Sequence, residues 1–206
     1  MVEDLGIKNM NTIVKLEPTK VLYRENFDKV KNLNNDFFDY VVEQYPSKIL
    51  DMFKDTLKED SEEIKLLDSQ YFKLINEEKY LNFIVEVFEK NNSTCYVEIA
   101  TFKNYDDDFL LKTLNELDIV DKYILLKQID VISSTLETRY IIKDKFLLKM
   151  LFKCMLRELI PIEFYFLEKP LIIFNNFDMS IPLVFKNKED IPFYKQIAEK
   201  SSLFFR

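Results

Sequence analysis

The segment from residue 144 to residue 160 carries the feature that most constrains the fold of this chain. It reads Asp-Lys-Phe-Leu-Leu-Lys-Met-Leu-Phe-Lys-Cys-Met-Leu-Arg-Glu-Leu-Ile. Apolar side chains at helical spacing cover most of its circumference, which is typical of a helix packed on several sides. At about 1.5 Å per residue such a helix is roughly 25 Å long, enough to cross a small domain. We therefore predict a central, mostly buried helix over 144–160.

The single polar edge of this helix is a basic stripe, formed by Lys145, Lys149, Lys153 and Arg157. Residues four apart lie near one another on a helix face. Four cations on one edge are compatible with a clamp for a phosphate or for an acidic partner surface. The bland alternative is that these long side chains reach out from a buried helix and pair with carboxylates on neighbouring elements. We favour this pairing, because cationic side chains are rarely buried without a partner.

The first part of the chain has mostly helical spacing of apolar residues, from residue 26 to residue 91. One helix is expected to end at Tyr45-Pro46, because the residue before a proline avoids the helical conformation. Ser47 is predicted to cap a second helix, and a further helix is predicted over 77–90. The sequence therefore predicts a helical N-terminal half.

The period of apolar residues changes to two after Asn91-Asn92-Ser93, which indicates strands. Strands are predicted at 95–99, 129–133, 138–142, 162–167, 171–174 and 177–185, with less regular candidates at 11–16 and 20–24, and helices at 106–117 and 189–200. Residues 119–128 are left open between helix and strand. Pro182 cannot donate to a ladder, so its strand is expected at a sheet edge or at a bulge. The apolar residues at 203–205 predict that the last residues are docked.

Together these elements predict an α+β fold. A helical N-terminal half packs against a small, mainly antiparallel sheet, with helix 144–160 between the layers. At 206 residues the chain fits a single domain over 1–206. A subdivision into a mainly helical part, 1–92, and a sheet part, 93–206, is the alternative.

Missing residue types exclude many functions. The chain has no histidine, which excludes the usual serine and cysteine triads and zinc sites built on histidine. Its one glycine is Gly6, whereas phosphate-binding loops, dinucleotide fingerprints and nucleophile elbows each need several glycines at fixed spacing. We therefore expect no nucleotide cofactor, and the sequence favours a protein that is not an enzyme.

Charge and cysteine content indicate the compartment and the kind of partner. The formal net charge of −7 repels nucleic acid and anionic membranes, so neither is expected as a partner. Cys95 and Cys154 lie in apolar segments without metal-site spacing, which predicts reduced, buried thiols in a cytoplasmic protein. No apolar run approaches the ~18 residues needed to span a membrane.

Carboxylates provide the other candidate sites. Tyr105 precedes the cluster Asp106, Asp107 and Asp108, which is compatible with oxygen ligands for a divalent cation. The favoured interpretation is that these aspartates cap the following helix and complement its dipole. An acidic run at 59–63 is expected to be a solvated surface. A carboxylate pair for glycoside hydrolysis can be drawn from the sheet half, but no spacing selects it; its candidate members are Glu98, Glu163 and Asp178.

The aromatic content suggests a binding surface. Several tyrosines lie near acidic or amide residues, and tyrosine is enriched at protein interfaces; these are Tyr71, Tyr80, Tyr105 and Tyr194. The favoured interpretation of each tyrosine by itself is a half-buried ring whose hydroxyl contacts water. For the chain as a whole, we predict a non-enzymatic module that binds a basic protein through an acidic, tyrosine-bearing face. Small acidic α+β proteins without catalytic residues include bacterial immunity proteins, so an immunity-like, antitoxin-like or regulatory role is the expectation. The alternatives are a divalent-metal carboxylate enzyme and a regulator that binds an anion through the basic stripe.

Overall fold

A computed structural model describes residues 14–21, 27, 37–58, 61–99, 107–175 and 177–206. Within these ranges it contains seven α-helices and one sheet of eight strands, which confirms the α+β class. Helices α1 to α7 span Phe37–Gln44, Glu62–Leu67, Gln70–Lys90, Asp107–Asn115, Ile119–Ser134, Lys145–Leu156 and Ile191–Lys200. Strands β1 to β8 span Glu17–Pro18, Ser47–Asp51, Cys95–Glu98, Arg139–Ile142, Glu163–Phe166, Leu171–Ile173, Ile181–Phe185 and Phe204–Phe205.

The sheet is antiparallel at every pairing, in the order β1-β4-β3-β5-β6-β7-β2-β8. Side chains alternate between its two faces, as the pleat requires. Along β3, for example, Cys95 and Val97 are buried, whereas Tyr96 and Glu98 are half-buried on the opposite face. The sheet therefore has two different faces, each with its own apolar cluster.

The larger cluster lies where α3, α6 and α7 pack on one face of the sheet. Phe152 of α6 makes an edge-to-face contact with Phe164 of β5, with ring centroids 5.3 Å apart. On the other face, α1 covers the centre of the sheet, where Phe38 meets Phe174 at 4.8 Å. The sheet is thus covered by helices on both faces.

The predicted central helix is confirmed as α6. The side chain of Asp144 caps it by accepting a hydrogen bond from the Leu147 N–H at 2.8 Å. The helix ends at Leu156, earlier than predicted, and Glu158 then takes the left-handed conformation with a φ of 56°. This backbone turn redirects the chain toward β5.

The helix predicted after Ser47 is wrong, because residues 47–51 form β2. This strand pairs with β7 on one side and with β8 on the other. Its buried Asp51 carboxylate accepts hydrogen bonds from Ser180 at 2.7 Å and from Arg206 at 2.6 Å. The docking of the last residues is confirmed, because β8 pairs with β2 and Leu203 is buried. Partners so distant in sequence override the local helical pattern.

The strand predicted over 129–133 is also wrong, because α5 continues without a break to Ser134. Asp118 caps this helix, which settles the open stretch 119–128 as helix. Ile124, Gln128 and Ile132 are buried on one side at intervals of four residues. A helical burial pattern therefore prevails over the β-branched residues at its end.

The strand with Pro182 was predicted to lie at a sheet edge or to carry a bulge, and both predictions are wrong because its register is regular. β7 lies inside the sheet, between β6 and β2. Pro182 sits opposite Phe174, just beyond the end of β6, and its carbonyl accepts the Phe174 N–H at 3.0 Å. The proline therefore removes a donor only at the frayed end of the neighbouring strand.

At the start of the chain, the described part of the candidate at 11–16 is not a strand; a short strand instead forms at Glu17–Pro18 and pairs with β4. Residues 11–13 and 22–24 of the two early candidates lie outside the described residues. The predicted hairpin of 162–167 and 171–174 is confirmed by the pairing of β5 with β6.

Candidate binding site

The first half of α3 leaves an apolar face exposed. We call this surface the α3 face; its residues are Tyr71, Leu74 and Ile75. The Ser69 side chain caps the helix and sets its start. Spacings of three and four residues then bring these side chains together on one side. Tyr71 is 75% exposed, Leu74 45% and Ile75 55%.

The opposite side of the same turns is buried. Tyr80 is fully buried, and its hydroxyl donates to the Met179 carbonyl at 2.6 Å. Glu77 is also buried, where Arg157 pairs with it. The first half of α3 is therefore anchored from behind, and the exposed apolar side chains are not part of that anchorage.

Carboxylates flank the α3 face in sequence and along the helix. Glu62 and Glu63 lie in the first turn of α2, Asp68 lies between α2 and α3, and Glu78 follows Ile75 by one turn. All four are exposed. Glu62 makes a surface pair with Lys65, at 2.7 Å. The acidic run predicted to be a solvated surface is thus exposed at its described residues.

A cleft of about 570 Å³ opens beside the α3 face, between α3, the end of α4 and the end of α6. Leu74 belongs both to the α3 face and to the lining of this cleft. Its other apolar lining residues are Leu156, Leu159 and Met179, and its polar lining residues are Asp68, Gln70, Lys73, Glu77, Lys112, Asn115, Glu116, Arg157 and Glu158. The volume lies in the range of ligand pockets, roughly 300–1,000 Å³.

Most of the cations in the cleft are already paired. Arg157 donates from Nε and Nη2 to the two carboxylate oxygens of Glu77, at 2.7 and 2.9 Å. Its Nη1 donates to the Glu116 carbonyl. Lys73 pairs with Asp178 at 2.9 Å. The two parallel hydrogen bonds between Arg157 and Glu77 fix the orientation of the guanidinium.

A tight turn at residues 177–180 forms one side of the cleft. Asp178 and Met179 both have positive φ, 47° and 62°, although neither is glycine. The turn is held by several bonds: Asp178 N–H donates to Glu158 at 3.0 Å, and Lys73 binds the Asp178 carboxylate. A residue other than glycine keeps this strained conformation only where the surrounding contacts stabilise it. The cleft therefore has a firmly positioned wall.

The basic stripe pairs with neighbouring elements, as the favoured interpretation expected. Lys149 lies 4.0 Å from Glu78, Lys153 pairs with two aspartates at the start of α5, and Arg157 pairs with Glu77. Lys145 is exposed at the start of α6. Anion binding by the stripe stays a prediction, but three of its four cations already lie beside carboxylates of α3 or of the start of α5.

Lys153 is the most enclosed cation of the basic stripe. It donates to Asp118 at 3.1 Å and to Asp121. Burial acts to raise the pKa of Asp118, but hydrogen bonds from the Asp121 N–H and from Lys153 hold that pKa below its usual value. Burial raises the pKa of Asp121. Burial acts to lower the pKa of Lys153, and the two carboxylates outweigh it and raise that pKa.

Two of the four candidate tyrosines are neither on the surface nor half-buried, so the positions expected for them are wrong. Tyr80 and Tyr194 are fully buried, and burial raises the pKa of both hydroxyls. Tyr194 donates to the Lys169 carbonyl at 2.5 Å. These apolar rings fill the core, and their hydroxyls reach carbonyl groups within it. Only Tyr71 of the described candidates is on the surface, and Tyr105 lies outside the described residues.

The aspartate cluster is only partly described. Asp107 and Asp108 lie exposed in the first turn of α4, in agreement with a favourable interaction with the helix dipole, and Asp106 lies outside the described residues. In the part of the chain that the structure describes, no group of three carboxylate or thiol side chains is placed to hold a metal ion.

The carboxylates of the sheet half are divided between two places. Glu98 and Glu163 lie directly opposite each other on β3 and β5, where Glu163 accepts a hydrogen bond from Tyr165. Asp178 instead pairs with Lys73 beside the cleft. Nothing in this arrangement assigns a catalytic acid and a nucleophile, so the glycosidase interpretation stays a prediction.

Both thiols are enclosed by the core. Cys95 and Cys154 are buried and form no disulfide. Burial raises the pKa of Cys154 to about 12, so this thiol stays protonated near neutral pH. A protonated, enclosed thiol is a poor nucleophile. Neither cysteine adds a reactive group to the surface.

Comparison with protein families, with curated proteins and with solved structures finds no match for this chain. Among the described helices, none combines the length and the apolar character required to cross a bilayer. The candidate site therefore depends on the geometry of the chain itself. Sequence reasoning missed the cleft and the exposure of Leu74 and Ile75, although their spacing with Tyr71 was visible.

Proposed function

We propose that this protein is a non-enzymatic interaction module that binds a basic protein partner through the α3 face. One observation carries this proposal: Tyr71, Leu74 and Ile75 are exposed together on a well-anchored helix and are flanked by carboxylates. Contiguous apolar residues rimmed by polar ones mark interaction sites. The exposed tyrosine and the nearby carboxylates support binding of a basic partner at this face.

The chemistry of the α3 face favours a basic partner. Tyrosine is one of the residues that contribute most binding energy at interfaces. Asp68 and Glu78 lie one turn before and after the exposed apolar residues, Glu62 and Glu63 lie on the preceding helix, and the chain carries a net charge of −7. Such negative charge accelerates encounter with a positively charged partner and disfavours self-association.

An immunity-like, antitoxin-like or regulatory role in a bacterial cytoplasm fits this proposal. A module of this kind neutralises or positions a basic protein without chemistry of its own. Fold class alone does not imply function, so the role depends on the properties of the α3 face.

The test is a direct affinity measurement with a partner first identified by cross-linking to the intact protein in its host. The double variant Tyr71→Ser, Ile75→Ser is expected to weaken binding by about 30-fold or more, the scale of an interface hot spot. The matched control is Leu136→Ser, since Leu136 is 92% exposed and lies between α5 and β4. Equal weakening by both variants, or affinity that is insensitive to salt, would contradict the proposal.

A further inference from the structure

We infer that the cleft beside the α3 face receives an arginine side chain of the basic partner. This inference rests on the proposed function and deepens it, because it names the group that the cleft recognises. Leu74 connects the two surfaces, since it belongs to the α3 face and also lines the cleft. A partner segment lying along the α3 face is thereby brought to the mouth of the cleft.

The apolar lining of the cleft suits the stem of a long side chain. Leu74 is 45% exposed, and the nearly buried Leu156 and Met179 lie deeper. Lysine and arginine bury their methylene groups along apolar surface while the charged head stays near polar groups. A cleft with apolar and acidic lining residues matches this division within one side chain.

The carboxylates that line the cleft are not fully used by the protein. In the described parts of the chain, neither Asp68 nor Glu116 has a cationic partner; Glu116 accepts only a neutral hydrogen bond at its carboxylate, from Gln70 at 3.2 Å. By contrast, Arg157 and Lys73 are engaged by Glu77 and Asp178.

Lys112 is therefore the one lining cation without a carboxylate partner in the described residues, whereas two lining carboxylates, Asp68 and Glu116, lack a cationic partner there. The remaining charge of the cleft favours a cation. Arginine fits better than lysine, because its planar fork binds carboxylates with two parallel hydrogen bonds. Arginine is also enriched at interfaces, whereas lysine is depleted.

The test uses a synthetic amphipathic helical peptide with leucines on one face and a single arginine, compared with the same peptide carrying neutral citrulline. Binding is followed by NMR of the protein labelled with ¹³C at its methionine methyl groups. Met179 lines the cleft, and its signal is assigned with Met179→Leu. We expect the arginine peptide to shift the Met179 signal and to bind about 10-fold more tightly than the citrulline peptide, as for a hydrogen bond to a charged group.

Two variants check the role of the carboxylates. Asp68→Asn combined with Glu116→Gln is expected to remove the preference for arginine over citrulline. Glu89→Gln is the control, since Glu89 is exposed near the far end of α3 and should leave the preference unchanged.

The inference is overturned if the two peptides bind equally or if Met179 does not respond. It is also overturned if free butylguanidinium shifts the Met179 signal and the arginine peptide does not. The cleft would then bind a small guanidinium compound and not the side chain of a protein. Failure here is distinguishable from failure of the proposed function. A cleft without arginine preference leaves the effect of Tyr71→Ser, Ile75→Ser on partner affinity intact.

Discussion

The two halves of α3 obey the same helical geometry but differ in what covers them. In the second half, Phe83, Ile84 and Val87 are fully buried beneath α6, α7 and the sheet. In the first half, Tyr71 and Ile75 are more than half exposed. The difference teaches that apolar spacing predicts a helix but does not predict which apolar face is core. We therefore expect the second half to contribute most of the stability, and we propose the first half as the binding surface.

The largest expected effect comes from truncating the buried half. Phe83→Ala should lower the free energy of unfolding by about 3–5 kcal/mol, because it removes buried surface and leaves a cavity. Tyr71→Ala should change it by no more than about 0.5 kcal/mol, as for an ordinary surface substitution. Urea denaturation of both variants gives the two values. A similar loss of unfolding free energy in both variants would contradict the division of α3 into a buried and an exposed half.

A smaller effect is expected where the exposed half is anchored. Arg157→Met leaves Glu77, whose side chain is 10% exposed, without its cation. We expect a loss of about 2–4 kcal/mol, somewhat below the range for a fully buried pair because Arg157 keeps some exposure. The double variant Arg157→Met, Glu77→Gln should recover part of this loss, since no charge is then left unpaired. A double variant as unstable as the single one would show that the charge is not the cause.

The smallest effect concerns Asp118, where the paired carboxylate is half exposed. Its pKa is lowered in the folded protein by the Asp121 N–H and by Lys153, against the effect of burial. Such a group stabilises the fold above its unfolded pKa of about 3.9, and this stabilisation is lost as the pH falls through the folded pKa. We expect Asp118→Asn to destabilise the protein by less than about 1 kcal/mol near neutral pH, because exposed ion pairs are weak.

The pH dependence of this destabilisation tests the lowered pKa of Asp118. The difference in unfolding free energy between wild type and Asp118→Asn should stay constant from pH 7 to about pH 4.5 and shrink below about pH 4. Asparagine remains a good cap for α5, so the pH-dependent part of the difference reports the carboxylate. A difference that grows toward acid pH has the wrong sign and contradicts the lowered pKa.

Some elements were predictable because their signals are local. Asp144 before an apolar helical run predicts α6, and Pro170 within a turn predicts the hairpin of β5 and β6. Pro192 lies in the first turn of α7, where a proline is well tolerated, in agreement with the helix predicted over 189–200. In each case the determining residues lie within one element or its immediate flanks.

Other elements depend on partners far away in sequence. β2 is a strand because residues 181–184 and 204–205 supply ladders on both of its sides. The pattern at 47–57 alone resembles a helix. Tyr80 looked like a surface tyrosine because acidic residues precede it, but it is placed in the core by the turn that contains Met179. The cations of the basic stripe were expected to pair with carboxylates, but the partners on α3 and at the start of α5 could be identified only in the fold.

The candidate site was the least predictable part. Apolar residues occur on both sides of the first half of α3, for example Tyr80 on the covered side and Tyr71 on the exposed side. Periodicity cannot distinguish the covered side from the exposed side, because both fit a helix. The cleft depends on three helices and a tight turn, and no single segment contains its pattern.

Nitration of tyrosine by tetranitromethane, read by mass spectrometry with and without the bound partner, tests the role of the α3 face most directly. Tyr71 is exposed on the α3 face, and Tyr123 is partly exposed on α5 and provides the internal control. We predict that the bound partner slows nitration of Tyr71 by about 10-fold or more, as expected for a residue buried at the centre of an interface. Nitration of Tyr123 should keep its rate. An unchanged rate at Tyr71 in a saturated complex would contradict the assignment of binding to this half of α3.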